Sequence, residues 1–179
     1  MVSTAAILLI GYIVAQRAGE LAWANRNTRR LLATGAQEIG AGHYPILVFM
    51  HTAWLFSLIA WVFYAEIAFR WPWFGIFALL QIARLWVLLS LGRYWTTRII
   101  TVPGAPLVHR GPYRFVRHPN YIVVIGEIAV VPLILNAWPI ALVFSVLNIV
   151  ILRHRIAIEN AALADRRSRR YSPSDALEN

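Results

Sequence analysis

The chain has 179 residues, of which 59% are apolar and only 14% charged, with a net charge of +9. So few charges, against about 25% in soluble globular domains, exclude an ordinary water-soluble protein and point to an integral membrane protein. There is no cysteine and all 17 basic residues are arginine, which excludes disulfide frameworks, thiolate metal sites and lysine Schiff-base chemistry.

The first apolar run covers about 3–24 and carries Arg17 and Glu20 near its end. No small-residue cleavage site follows it, so it reads as a retained span and not a signal peptide. The second, 45–65, contains no Asp, Glu, Lys or Arg, and as a helix it reaches about 31 Å, enough to cross a bilayer. The third, 71–91, is interrupted only by Gln81 and Arg84. From Tyr121 the chain is apolar to Leu152, broken by Glu127 and by the stretch "NAWP" at 136–139. That segment reads either as one overlong helix or as a hairpin of two shorter ones, 119–135 and 139–160.

Charge asymmetry favours the hairpin. With five spans, fourteen arginines in 25–43, 93–118 and the tail from 153 share one side, and only Arg70 lies opposite. This fits the positive-inside rule, whereas a single helix would put the tail arginines outside. The expectation is an all-α integral membrane protein of one domain over 1–179. Five transmembrane helices place the N-terminus outside and the C-terminus in the cytoplasm. The same distribution explains the basic charge by topology and argues against nucleic acid as a partner.

Arg17 and Glu20, three apart on a helix, are expected to form a structural ion pair. Arg84 and Glu127 lie deeper on different spans and can pair across the bundle, with a structural and a functional role both open. His51, alone on an apolar helix, reads as a packed, hydrogen-bonded histidine.

The longest interval between spans, 92–118, is mostly apolar, yet Pro103, Gly104 and Pro106 prevent a helix. Such a non-helical loop needs partners for its backbone groups, and a bound polar ligand can supply some. Gly111 and Pro112 mark a turn, and Pro119 belongs in the first turn of the fourth helix. His118 and Tyr121 therefore flank a helix N-terminus suited to a polar or anionic group. Arg155 and Glu159 lie four apart where the fifth helix ends, sharing one face.

Two stretches carry a family resemblance: "APLVHRGPYRFVRHPNY" (105–121) and "RIAIENAAL" (155–163). Their pattern G-x-Y-x-x-x-R-H-P-x-Y, followed one helical hairpin later by an Arg/Glu helix, resembles the isoprenylcysteine carboxyl methyltransferase family. The resemblance implies S-adenosylmethionine as methyl donor, bound in a cofactor half of about 93–171. It implies cofactor contacts at Ala105, Pro106, Leu107, Val108, Tyr113, His118, Pro119, Asn120, Tyr121 and Glu159, with Arg98 at a further contact position. Arg155 corresponds to the arginine assigned to the substrate and is the expected catalytic residue; no metal is implied.

Asn160 stands where the family has a second glutamate. The form "HPNYIVV", with Val123 where a small residue is frequent, is similar to bacterial homologues that methylate hydroxyls of long-chain polyketides such as alkylpyrones. The implied reaction is O-methylation of a lipophilic acceptor, either a prenylcysteine-type carboxylate or such a hydroxyl. The acceptor would enter from membrane lipid, and the site would face the cytoplasm of a bacterial inner membrane. A sterol-reductase-like enzyme using NADPH carries a similar motif and is the enzymatic alternative. A non-catalytic lipid-binding protein is the other.

Overall fold

The computed structural model describes residues 3–164, and within them the chain is mostly helical. The helices are α1 (Thr4–Ala33), α2 (Tyr44–Tyr64), α3 (Trp71–Leu91), α4 (Pro119–Ile134) and α5 (Trp138–Ala162). Helices α1, α2, α3 and α5 are long and apolar enough to cross a membrane, and α4 is a shorter apolar helix. At 16 residues, α4 reaches about 24 Å, short of a hydrocarbon core of about 30 Å.

Local sequence accounts for most boundaries. Four helices, α2 to α5, begin with a proline at the first or second position, where its missing N–H costs nothing and its φ suits a helix. The first helix continues beyond the apolar run, which ends near 24, as a polar helix to Ala33, because the stretch after Ala24 still consists of residues a helix accepts. It stops where Gly35 takes φ +87°. The Gly35 and Ala36 amides then bond the Leu32 and Leu31 carbonyls, a Schellman ending.

The same device resolves the segment from 119 to 160 as a hairpin. Asn136 adopts φ +56°, while the Asn136 and Ala137 amides close onto the Leu133 and Pro132 carbonyls. Pro139 then starts α5, so a left-handed cap and a helix-starting proline are packed into four residues. At this end of the bundle Arg70 donates to Asn136 Oδ1 at 3.3 Å.

The bundle buries a core where α1, α2, α3 and α4 meet, including Leu9, Ile13, Trp54, Leu58, Phe77 and Ile128. Gly126 lets α3 come close, since a Cβ there would lie 2.9 Å from Leu80 Cδ2. Many large apolar side chains instead face outward, among them Phe49, Leu79, Ile82 and Val150. A helical bundle with an apolar exterior suits lipid as its solvent.

The interval 92–118 is not wholly irregular. It contains two 3₁₀ turns, Gly92–Tyr94 and Gly111–Arg114, and the two-residue strand β2 (Ile100–Thr101). This strand pairs antiparallel with β1 (Gln37–Glu38), from the loop between α1 and α2. The pairing ties two loops together over the end of the bundle where α4 begins and α5 finishes. Four of the arginines counted for topology, Arg166, Arg167, Arg169 and Arg170, and the end of the expected cofactor half lie outside the described residues.

Candidate functional site

Tyr121, in the first turn of α4, is the hub of the polar site. Its hydroxyl donates to a Glu159 carboxylate oxygen and accepts from Arg155 Nε at 2.9 Å. Arg155 and Glu159 share a face of α5, yet each bonds the tyrosine placed between them. His118, immediately before α4, stacks on Tyr121 with ring centroids 5.3 Å apart. One edge of its ring reaches Asn160 Oδ1 at 3.1 Å, and the other lies 3.6 Å from Glu159. Asn160 thus serves the site as a hydrogen-bonding partner of His118.

Arg155 is buried, 6% exposed. Its Nη2 donates to the Thr97 carbonyl at 2.7 Å, and Nη1 meets His43 Nε2 at 3.3 Å. Among the described residues it makes no ion pair. Three of its five N–H donors are occupied, leaving a buried guanidinium with two spare donors and no direct carboxylate partner, Glu159 being held off by the Tyr121 hydroxyl.

Three adjoining cavities surround this hub. An outer cleft of about 350 Å³ is lined by Pro106, Leu107, Val108, Tyr113 and Glu159, among others. A middle cleft of about 150 Å³ shares Tyr113 and Glu159 with it and adds Arg98, His118, Asn120, Tyr121 and Arg155. An inter-helix pocket of about 260 Å³ runs from Tyr121 and Arg155 along α1 and α2. The middle cleft and the inter-helix pocket share Trp95, Thr96, Asn120, Tyr121 and Arg155. At this junction Asn120 Oδ1 and Trp95 Nε1 are buried with no hydrogen-bond partner among the described residues. A buried acceptor or donor left this way is a costly exception that a ligand can remove.

The motif residues are thus brought to one place, with two exceptions. Ala105 and Pro119 line none of these cavities, and Pro119 instead starts α4. Arg98 reaches the middle cleft, but its Nη1 pairs with both Glu38 carboxylate oxygens at 2.9 and 3.0 Å and its guanidinium covers the Tyr44 ring. It fastens the β1–β2 clamp. Tyr113 is partly buried beside Glu159, and burial first, then that carboxylate, raises its phenol above the usual value, keeping it a neutral hydroxyl.

Several site residues carry no signal in the sequence. Trp95, Thr97 and His43 reach the hub from loops far away in the chain, and only the odd aromatic-threonine cluster "YWTT" at 94–97 hints at two of them. In the membrane interior, the two expected ion pairs merge into one network. Arg84 donates to Glu20 through Nε and Nη2 and to Glu127 through Nη1 at 2.7 Å. Arg17 reaches Glu127 at 2.5 Å and Glu20 at 3.4 Å, so it is tied inward and not drawn to the interface. His51 Nδ1 bonds the Leu47 carbonyl at 2.9 Å, the hydrogen-bonded histidine expected, although the ring also lines the inter-helix pocket.

The fold and site define a class: an apolar helical bundle whose polar centre joins an outward cleft to a pocket between helices. Residues 73–165 match the isoprenylcysteine carboxyl methyltransferase family. A Bacillus subtilis (strain 168) protein described as "Uncharacterized protein YpbQ" is 44% identical over 161 residues, covering 88% of this chain and 96% of that one. A Haemophilus influenzae protein, also described as uncharacterized, is 30% identical over 156 residues, covering 85% and 91%. No solved structure matches the chain. The chain belongs to the isoprenylcysteine carboxyl methyltransferase family, a family of membrane methyltransferases.

Proposed function

We propose that the chain is an S-adenosylmethionine-dependent O-methyltransferase acting on a lipophilic acceptor that enters between the helices. The observation carrying this reading is the buried, unpaired guanidinium of Arg155 where the middle cleft meets the inter-helix pocket. A cation held this way attracts an anionic oxygen.

The residues fit the cofactor. Glu159 and the unpartnered Asn120 Oδ1 suit its ammonium group, and the aromatic faces of Tyr113, His118 and Tyr121 suit its sulfonium. Pro106, Leu107 and Val108 supply an apolar wall for its adenosine in the outer cleft. When bound, it supplies the methyl group. The chain's own task is alignment, because a displacement at carbon needs nucleophile and leaving group held in line. Arg155 holds the acceptor oxygen with its two spare donors, and Tyr121 fixes both that guanidinium and Glu159.

An oxygen that arrives already ionised fits this arrangement: a prenylcysteine-type carboxylate, or an acidic enolic hydroxyl such as that of an alkylpyrone. The buried Val123 favours the polyketide acceptor by its similarity to such bacterial homologues. The arginines at the site's end of the bundle, against Arg70 at the other, support a cytoplasmic site in a bacterial inner membrane.

The test is the thermal stability of the detergent-solubilised chain with S-adenosylhomocysteine or NADPH. S-adenosylhomocysteine at a hundred times its Kd should stabilise by about 2.7 kcal/mol, and NADPH should not. A shift with NADPH alone would support the reductase, and a shift with neither the non-catalytic lipid-binding protein.

A further inference from the structure

The inter-helix pocket has a second polar end that methyl transfer at Arg155 does not use. Tyr44 lies near the transfer end, its hydroxyl 3.0 Å from Thr97 Oγ1. His51 is seven residues further along α2, about 10 Å at 1.5 Å per residue. There the wall is formed by Arg17, His51 and Trp54.

The carboxylates at this end, Glu20 on the pocket lining and Glu127 behind it, are each already engaged by three hydrogen bonds. Both oxygens of Glu20 accept from Arg84, and Arg17 adds a further bond. Glu127 accepts from Gln81, Arg84 and Arg17. Two arginines and two glutamates also cancel in charge. What remains is a set of neutral-ligand contacts. Arg17 has spare N–H groups and is the less buried arginine of the network. Because a carbonyl only accepts, His51 Nδ1 carries the proton toward Leu47, which leaves Nε2 of the neutral ring an acceptor. Independently, Trp54 is 2% exposed and its Nε1–H has no partner among the described residues. A polar face and an orphaned donor this deep in an apolar bundle are costly unless a ligand answers them.

We infer that Arg17, His51 and Trp54 form a second polar subsite, which binds a neutral oxygen group of the acceptor distinct from the oxygen methylated at Arg155. This deepens the methyltransferase reading and rests on it for the role of the first oxygen. The acceptor is therefore not a plain hydrocarbon with one polar end, but one with oxygens at two points along the pocket, separated by a distance on the order of the 10 Å rise from Tyr44 to His51.

The experiment measures binding of two rigid probes, para,para′-biphenol and para-phenylphenol, to the detergent-solubilised full chain by calorimetry. Wild type should bind the biphenol about tenfold more tightly, as expected for one satisfied buried hydrogen-bonding site. His51→Leu should bring the ratio to about one by removing that contact. Trp54→Phe, which removes the N–H together with part of the indole ring, should lower it and covers the case in which His51→Leu does not fold. Equal binding of the two probes by wild type, or a ratio unchanged in the folded variants, overturns the subsite. A wild-type chain that prefers the biphenol yet ignores S-adenosylhomocysteine would uphold the polar subsite while ending the methyltransferase reading.

Discussion

Arg155 and Glu159 lie four residues apart but do not pair, because the Tyr121 hydroxyl stands between them. Their roles therefore separate in mutants. Arg155→Ala should lower turnover by about a hundredfold or more, while calorimetry with S-adenosylhomocysteine finds cofactor affinity largely kept. Lost cofactor binding with normal acceptor binding would reverse that assignment. Glu159→Gln should act on the other side, weakening S-adenosylhomocysteine binding by about tenfold through loss of a charge-assisted contact; wild-type affinity would remove Glu159 from the cofactor site. At this scale the motif named Tyr113, His118, Tyr121, Arg155 and Glu159. It was silent on Trp95, Thr97 and His43. Those residues belong to no local pattern, and they meet the hub only through contacts between distant segments, such as Arg155 with His43.

Among the elements, the turn at Gly111 carries the most specific constraint on the cleft. Gly111 has φ +59°, and a Cβ there would lie 2.0 Å from Ser90 Oγ. Its neighbour Arg110 donates to the Ser90 carbonyl at 2.8 Å, so the loop is pinned to the end of α3. Gly111→Ala should displace the Gly111–Arg114 turn and weaken S-adenosylhomocysteine binding. Adding Ser90→Gly should recover part of it, the left-handed conformation still costing about 1–2 kcal/mol. Double-mutant calorimetry measures this coupling, and additive effects would disprove the contact. Elements with local signals were readable in advance. Prolines open α2 to α5, and Asn136 with Pro139 separates α4 from α5. That α1 continues past its apolar run as a polar helix was readable, but not its end at Ala33, since hydropathy reports where lipid ends and not where a helix ends. The β1–β2 clamp, two residues a side, is too short to leave a pattern.

Over the whole molecule, one buried network joins α1, α3 and α4 through Arg17, Glu20, Arg84 and Glu127. Glu127→Leu should leave Arg84 buried with half its partners gone and destabilise the bundle by about 3–5 kcal/mol. Unfolding in mixed micelles would measure it, and a loss under about 1 kcal/mol would class the network with exposed pairs. The sequence alone determined the membrane class, the number of apolar helices and the family. Those depend on composition, period, caps and one spaced motif, all local along the chain. Only the tertiary structure decided that two expected ion pairs are one network, that Arg98 fastens a clamp, and that Arg155 is a buried cation with no direct carboxylate partner among the described residues. It also placed His51 and Trp54 on the wall of the inter-helix pocket. Each of these is a pairing across helices, and in an apolar bundle the partner of a charge is chosen by which helices pack together. Spacing along one helix limits that choice without making it.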